Sequence, residues 1–174
     1  DHARRGDYDL TSLRTMIYAG SPIAPERLRQ ALDVFGPIFI QTYAGTEPGY
    51  VSCLRKNEHR VDSDVWIRRL ASAGRPMFQV EVTIQDDNDR EVALGEPGEV
   101  VSKQLGQMLS YIDPERNAEA LRNGQVHTGD IGRLDADGFL PLVGGFGIAL
   151  VVIVKVSEEC SPDVVRGLTF GRLL

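Results

Sequence analysis

The sequence predicts an α/β protein: a truncated βαβ parallel-sheet layer followed by a small β-rich, barrel-like subdomain. Three observations predict it. A strand–helix–strand pattern fills residues 13–43. The helical period then gives way to strict alternation around Val80, Val82 and Ile84. Short apolar segments between turns continue from there to Val143, which is the pattern of a barrel or sandwich.

The first strand lies within Leu13–Ala19, with Met16, Ile17 and Tyr18 at its centre, and Gly20-Ser21-Pro22 breaks it. A helix follows. Pro25 belongs in its first turn, where a missing N–H costs nothing, and Glu26 complements the helix dipole. Leu28, Ala31, Leu32 and Phe35 share one face, and Gly36 stops the helix. Ile38–Tyr43 is the second strand. A βαβ unit makes the two strands parallel, so Gly20-Ser21-Pro22 and Gly45-Thr46-Glu47 leave the sheet at the same edge. Ligands of open α/β sheets bind at that edge.

From Arg55 to Arg69 the chain is polar and reads as a connecting loop anchored by Trp66-Ile67. Gly74-Arg75-Pro76 is a turn, and Val80–Ile84 is a half-buried strand. Asp86-Asp87-Asn88-Asp89 fails as an EF-hand, because Glu91 stands where glycine is needed, and reads as a hairpin turn. Glu96-Pro97-Gly98-Glu99 is another turn, and Val100-Val101 opens a strand. Asp113 caps a short helix that has Pro114 in first position. After Val126-His127-Thr128-Gly129-Asp130 comes a hairpin, Ile131–Leu134 and Phe139–Val143, turning at Asp137-Gly138. The chain divides into residues 1–69, 70–144 and a tail, 145–174. In the tail, the apolar β-branched run Ile148–Val154 is expected to pair as a strand or pack on a neighbour.

Composition narrows the function classes. Of the 174 residues 42% are apolar, enough for a core, and the net charge is -6 with no basic block. That excludes a nucleic-acid surface of the usual kind. Cys53 and Cys160 match no metal or redox spacing and read as reduced thiols, so a cytoplasmic protein is expected. His2, His59 and His127 form no ligand cluster. The longest apolar run is far shorter than the ~20 residues of a membrane span.

Chemistry concentrates at Tyr43-Ala44-Gly45-Thr46-Glu47. An aromatic face, a glycine that admits close backbone approach, a hydroxyl and a hard carboxylate are the groups that grip a nucleotide and its metal. The same five residues also suit an ordinary surface turn. Asp130 has two readings: a carboxylate capping backbone amides, or an acceptor for two ribose hydroxyls.

In order and spacing, these segments resemble the adenylate-forming (AMP-binding) superfamily of acyl-CoA synthetases, nonribosomal adenylation domains and luciferases. Tyr18–Ile23 resembles the family's Gly-Ala-Pro turn, and Tyr43–Glu47 its Tyr-Gly-x-Thr-Glu motif. Ala73-Gly74-Arg75-Pro76 and Glu96–Val100 resemble the next two landmarks, and Asp113–Leu121 the segment after Gly-Tyr-Trp. His127–Gly132 resembles the Thr-Gly-Asp motif. The resemblance covers residues 9–144 and is most similar to medium- or long-chain fatty-acid–CoA ligases. It implies that Gly20, Ser21, Pro22, Tyr43, Ala44 and Gly45 border the nucleotide. It further implies that Thr46 faces the phosphates, Glu47 binds Mg2+ and Asp130 holds the ribose, with Thr46 and Glu47 the catalytic pair. The implied reaction joins a carboxylic acid to ATP as an acyl-adenylate, then transfers the acyl group to CoA.

Ala44 replaces the family's glycine, and Ser110-Tyr111-Ile112 replaces Gly-Tyr-Trp. No Ser/Thr/Gly-rich phosphate loop surrounds Lys56, Lys103 or Lys155, and after Gly144 the family's Arg and Lys-Asp hinge are missing. The expectation is therefore an internal fragment of the large N-terminal region, inactive alone. It would be open to self-association through an exposed sheet edge or the apolar tail. The alternative is a non-catalytic module that binds a nucleotide or a protein.

Overall fold

The computed structural model describes residues 9–21 and 23–143, and the backbone of residues 150–154. Among the described residues the first sheet has five strands, in the order β4 (Arg75–Pro76), β3 (Gly49–Leu54), β2 (Phe39–Gly45), β1 (Thr15–Ala19) and β9 (Leu150–Val154). Strands β1 and β2 are the parallel pair, joined through helix α1 (Pro25–Phe35). Their register runs from Met16 opposite Phe39 to Ala19 opposite Thr42, so Gly20 and Gly45 lie at one edge as expected.

Helix α1 begins with Pro25 and ends where the Gly36 N–H reaches the Leu32 carbonyl at 2.8 Å. Gly36 has a φ of 73° there, which only glycine adopts freely. Leu28 drives into a core of Met16, Tyr18, Phe39, Leu54, Leu70 and Phe139, with Leu32 and Phe35 packed alongside.

Two features differ from the sequence reading. Strand β3 (Gly49–Leu54) folds back antiparallel on β2, with Gly49 opposite Gly45. The Tyr43–Glu47 motif therefore runs into a β-hairpin turn. No alternation in Gly49–Leu54 announces the strand, because Val51 and Ser52 are both buried where a bulge shifts the register. The segment read as a loop contains a 3-10 turn (Lys56–Glu58) and helix α2 (Asp64–Arg69), the latter capped by the Ser63 hydroxyl. This helix lays Trp66 edge-on against the buried Phe139, with the Arg69 guanidinium 4.7 Å from the indole centroid and 4.5 Å from that of Phe139. Tertiary packing of the aromatics overrides its charged composition.

Strand β4 (Arg75–Pro76) completes one side of this sheet. On the other side, β9 (Leu150–Val154) runs antiparallel to β1 over five residue pairs, in keeping with the expected pairing of the apolar tail run. Ile148 and Ala149 lie outside the described residues, as do 155–174.

The second sheet is antiparallel, in the order β5 (Glu81–Gln85), β6 (Gly98–Lys103), β8 (Gln125–Gly132) and β7 (Leu121–Arg122). Helix α3 (Pro114–Ala120) precedes β7, and the Asp113 carboxylate accepts from the Glu115 N–H at 3.0 Å. The expected hairpin from Ile131 is partly corrected. Its turn forms, with Asp135 N–H on the Phe139 carbonyl at 2.9 Å, but His127–Asp130 already lies inside β8. The returning arm pairs with the first through the Arg133 N–H on the Pro141 carbonyl at 3.1 Å and the Val143 N–H on the Ile131 carbonyl at 2.7 Å, while Pro141 also bridges Ser72 and the Leu140 backbone turns to Ala73 and Gly74. Leu140, Ala73, Ile84 and Val100 make a second core, against which Tyr43 packs from the first sheet.

Candidate functional site

The two sheets meet at a cavity of about 160 Å³. Tyr43, Ala44, Gly45, Glu47 and Asp130, from the expected set, line it. Tyr111 and His127 join them from the second half of the chain. Thr46 sits exposed on the adjoining turn. Gly20 and Ser21 stand beyond the end of β1, at the same sheet edge but not in the cavity wall. Pro22 lies outside the described residues.

Gly45 is shaped by Pro48: a methyl group added at Gly45 would meet the proline ring at 3.0 Å. The Glu47 carboxylate lies beside the same position.

Each carboxylate is held by a phenol. The Tyr43 hydroxyl donates to Asp130 Oδ2 at 2.6 Å, across 87 residues of chain. Burial, and then this bond, hold the Tyr43 phenol well above its ordinary range, so it stays a donor. The Tyr111 hydroxyl donates to Glu47 Oε1. That bond, with some desolvation, raises the Tyr111 phenol as well. Both carboxylates are thereby fixed with lone pairs to spare.

Beneath Asp130, the Thr128 hydroxyl donates to the Val100 carbonyl at 2.7 Å and accepts from the Asp130 N–H at 3.2 Å. Glu99 accepts the Gly129 N–H at 2.9 Å and lies 2.8 Å from His127 Nδ1. Arg122 is 2.7 Å from the same ring nitrogen and ion-pairs with Asp89 at 2.9 Å. One nitrogen cannot donate and accept at once. The carboxylate of Glu99 favours Nδ1–H, which leaves Nε2 as a buried acceptor with no partner among the described residues.

Sequence reasoning missed Tyr111 and His127. Tyr111 stands in the segment that departs from Gly-Tyr-Trp, where the departure drew notice away from the retained tyrosine. His127 adjoins Thr128-Gly129-Asp130, and a single histidine carries no spacing signal.

Among the described residues no group of three or more His, Cys, Asp or Glu side chains is arranged to hold a metal ion. Glu47 offers one hard carboxylate with one oxygen already bonded. That donor set fits Mg2+ arriving on nucleotide phosphates, which needs only one or two protein carboxylates.

Two glycine turns, an aromatic and the Glu47 carboxylate at the exit of parallel strands, faced by Asp130 from β8, form the kind of ligand edge that open α/β proteins use. The family profile described as AMP-binding enzyme matches residues 1–112, and the chain belongs to that family. It is 36% identical over 182 residues to the medium/long-chain-fatty-acid–CoA ligase FadD8 of Mycobacterium tuberculosis (strain ATCC 25618 / H37Rv), matching 98% of this chain and 31% of that protein. The amide bond synthetase McbA from Marinactinospora thermotolerans superposes with a TM-score of 0.77 at 34% identity, covering 83% of this chain and 28% of that one. The o-succinylbenzoate coenzyme A synthetase of Bacillus subtilis, in complex with ATP and magnesium ion, superposes with a TM-score of 0.64 at 29% identity, covering 74% and 26%. The chain thus spans about a third of the length of the curated relatives it matches. Those relatives are acyl-CoA and related ligases. No helix among the described residues is long and apolar enough to cross a membrane.

Proposed function

We propose that this chain carries the nucleotide-gripping edge of an acid–thiol ligase. Such a ligase adenylates a carboxylic acid, of the fatty-acid class, with ATP and passes the acyl group to CoA. One observation carries the reading. Glu47 and Asp130, far apart in sequence, line one small cavity at the strand exits, in a chain of the AMP-binding family. In this reading Asp130 accepts from the ribose hydroxyls, Tyr43 and the Gly20-Ser21-Pro22 turn border adenine, and Ala44 and Gly45 let the nucleotide approach the backbone. Thr46 faces the phosphates and Glu47 takes the nucleotide's Mg2+. The cation, when bound, supplies charge neutralisation at the phosphoryl centre. A cytoplasmic location agrees with this chemistry.

A binding-only role for the 174-residue chain is favoured by the cavity wall, which contains no lysine or arginine among the described residues. Isothermal titration with ATP-Mg2+ and with a non-hydrolysable acyl-adenylate mimic tests the reading. Saturable binding of both is expected, and loss of Mg2+ dependence in Glu47→Ala. Absence of binding by either compound would refute it.

A further inference from the structure

We propose that Tyr111 is a positioning residue for Glu47: its hydroxyl fixes one carboxylate oxygen so that the other is presented to a nucleotide-bound divalent cation. The inference rests on the nucleotide-binding reading above.

Glu47 has three rotatable side-chain bonds, and on a turn it would sample several positions. Here one oxygen takes the Tyr111 hydroxyl. The other, Oε2, lies beside Gly45, where an added methyl would come within 3.9 Å of it.

The stretch that carries Tyr111 is laced to the same turn. The Met108 N–H donates to the Glu47 carbonyl at 2.7 Å. The Gln104 amide donates to the Pro48 carbonyl and, at 2.9 Å, to that of Tyr50. Tyr111 is in turn held by helix α3. Its N–H donates to Asn117 Oδ1 at 2.6 Å, and its carbonyl accepts from Asn117 Nδ2 at 3.3 Å. The Arg116 guanidinium covers the ring at 4.3 Å from its centroid. Helix fixes tyrosine, and tyrosine fixes carboxylate.

A carboxylate has about four lone-pair sites, and a phenol occupies one of them. Mg2+ commonly takes a single oxygen from such a group. Tyr111 therefore shares Glu47 with the cation rather than competing for it. Outer partners of this kind typically alter metal affinity by about 10–100-fold.

The experiment compares wild type, Tyr111→Phe and Glu47→Gln as the 174-residue chain. Phenylalanine keeps the ring beneath Arg116 and removes only the donor. Calorimetry measures the affinity for AMP without metal, and for ATP with and without Mg2+ or Mn2+. Wild type should bind ATP more tightly with metal. Tyr111→Phe should cut that enhancement by about ten-fold, or to nothing, with a much smaller change in its metal-free AMP affinity. Glu47→Gln should abolish the enhancement. An unchanged enhancement in Tyr111→Phe overturns the inference and leaves the nucleotide reading standing. So does a larger one, which would make Tyr111 a competitor, or a parallel loss of AMP affinity, which would make its role structural. A wild-type chain that binds nucleotide with no metal enhancement also overturns it. A wild-type chain that binds neither AMP nor ATP overturns both readings together.

Discussion

Replacing Gly74 by alanine should be more damaging than the same change at Gly98 or Gly132, where an added methyl would meet its nearest atom at 2.5 Å and 2.8 Å. Gly74 has a φ of 80°, in the left-handed region. A β-carbon there would stand 2.1 Å from both the carbonyl carbon and the oxygen of Cys53 and 2.2 Å from the Leu54 nitrogen. These are backbone atoms of β3, so no side chain can swing aside. The same residue joins the two halves: its carbonyl accepts from the Leu140 N–H at 2.8 Å, and its own N–H reaches the Ser72 hydroxyl at 3.2 Å. Holding alanine in the left-handed region costs about 1–2 kcal/mol. Overpacking against fixed atoms adds about 1–3 kcal/mol. The sum, about 2–5 kcal/mol, is a large part of the ~5–15 kcal/mol that stabilises a typical domain. Gly124→Ala is the control, because Gly124 has a φ of 73° with open space around its added methyl. It should lose only about 1–2 kcal/mol. Urea denaturation, followed by tryptophan fluorescence at Trp66, measures both. Equal losses in the two variants would refute the close-approach argument.

Three further outcomes are expected. His59 is buried, with Nδ1 2.8 Å from the Arg55 carbonyl and Nε2 3.0 Å from the Tyr18 hydroxyl. Desolvation lowers its pKa despite the opposing pull of Arg55 and Glu58. The unfolded chain then takes up the proton first, so this contribution is fully present above pH ~6.5 and declines as pH falls toward the folded value. Denaturation midpoints between pH ~7.5 and ~5.5 should show that decline in wild type and not in His59→Gln, and equal slopes would contradict it. Asp130→Ala should weaken AMP binding about 10–100-fold, the equivalent of one or two hydrogen bonds to a charged acceptor, and unchanged calorimetric affinity would remove Asp130 from the ribose site. Finally, the 174-residue chain supplied with fatty acid, ATP, Mg2+ and CoA should form no thioester at the rate of a complete synthetase. No lysine or arginine lines the cavity among the described residues, each preorganised charge a site lacks costs about two to three orders of magnitude in rate, and measured pyrophosphate and thioester near ordinary turnover would sink this expectation.

The βαβ start was legible because its signals are local. Pro25, Gly36 and the Leu28–Phe35 spacing each report on one turn of helix, and parallel pairing follows from topology. Helix α2 was not legible, since Trp66 meets Phe139 across 73 residues, a contact that no local period encodes. Strand β3 was hidden by a bulge, which spoils alternation where the eye looks for it. The same division holds for the carboxylates. Glu47, Asp130 and Tyr43 could be picked from motifs, but the pairings could not: Asp130 meets Tyr43 across 87 residues, and Glu47 meets Tyr111, outside both motifs, across 64.

Tyr43 shows how the face and the hydroxyl of one side chain can be set to different tasks. Its resemblance to a family motif gives it an adenine to lie against, a task for the face of the ring. Packing sets one part of that ring on the core of Ala73, Ile84, Val100 and Leu140, and the hydroxyl is committed to Asp130. Face and hydroxyl are separate assets, so stacking on a base and steadying a ribose acceptor are compatible in one side chain. Phenylalanine at position 43 separates them. It keeps the stacking surface and frees Asp130, so it should bind adenine less well only through the looser carboxylate. A Tyr43→Phe chain as weak for AMP as Asp130→Ala would mean that the hydroxyl, rather than the ring face, is what this position contributes. Calorimetry on the two variants side by side decides between them.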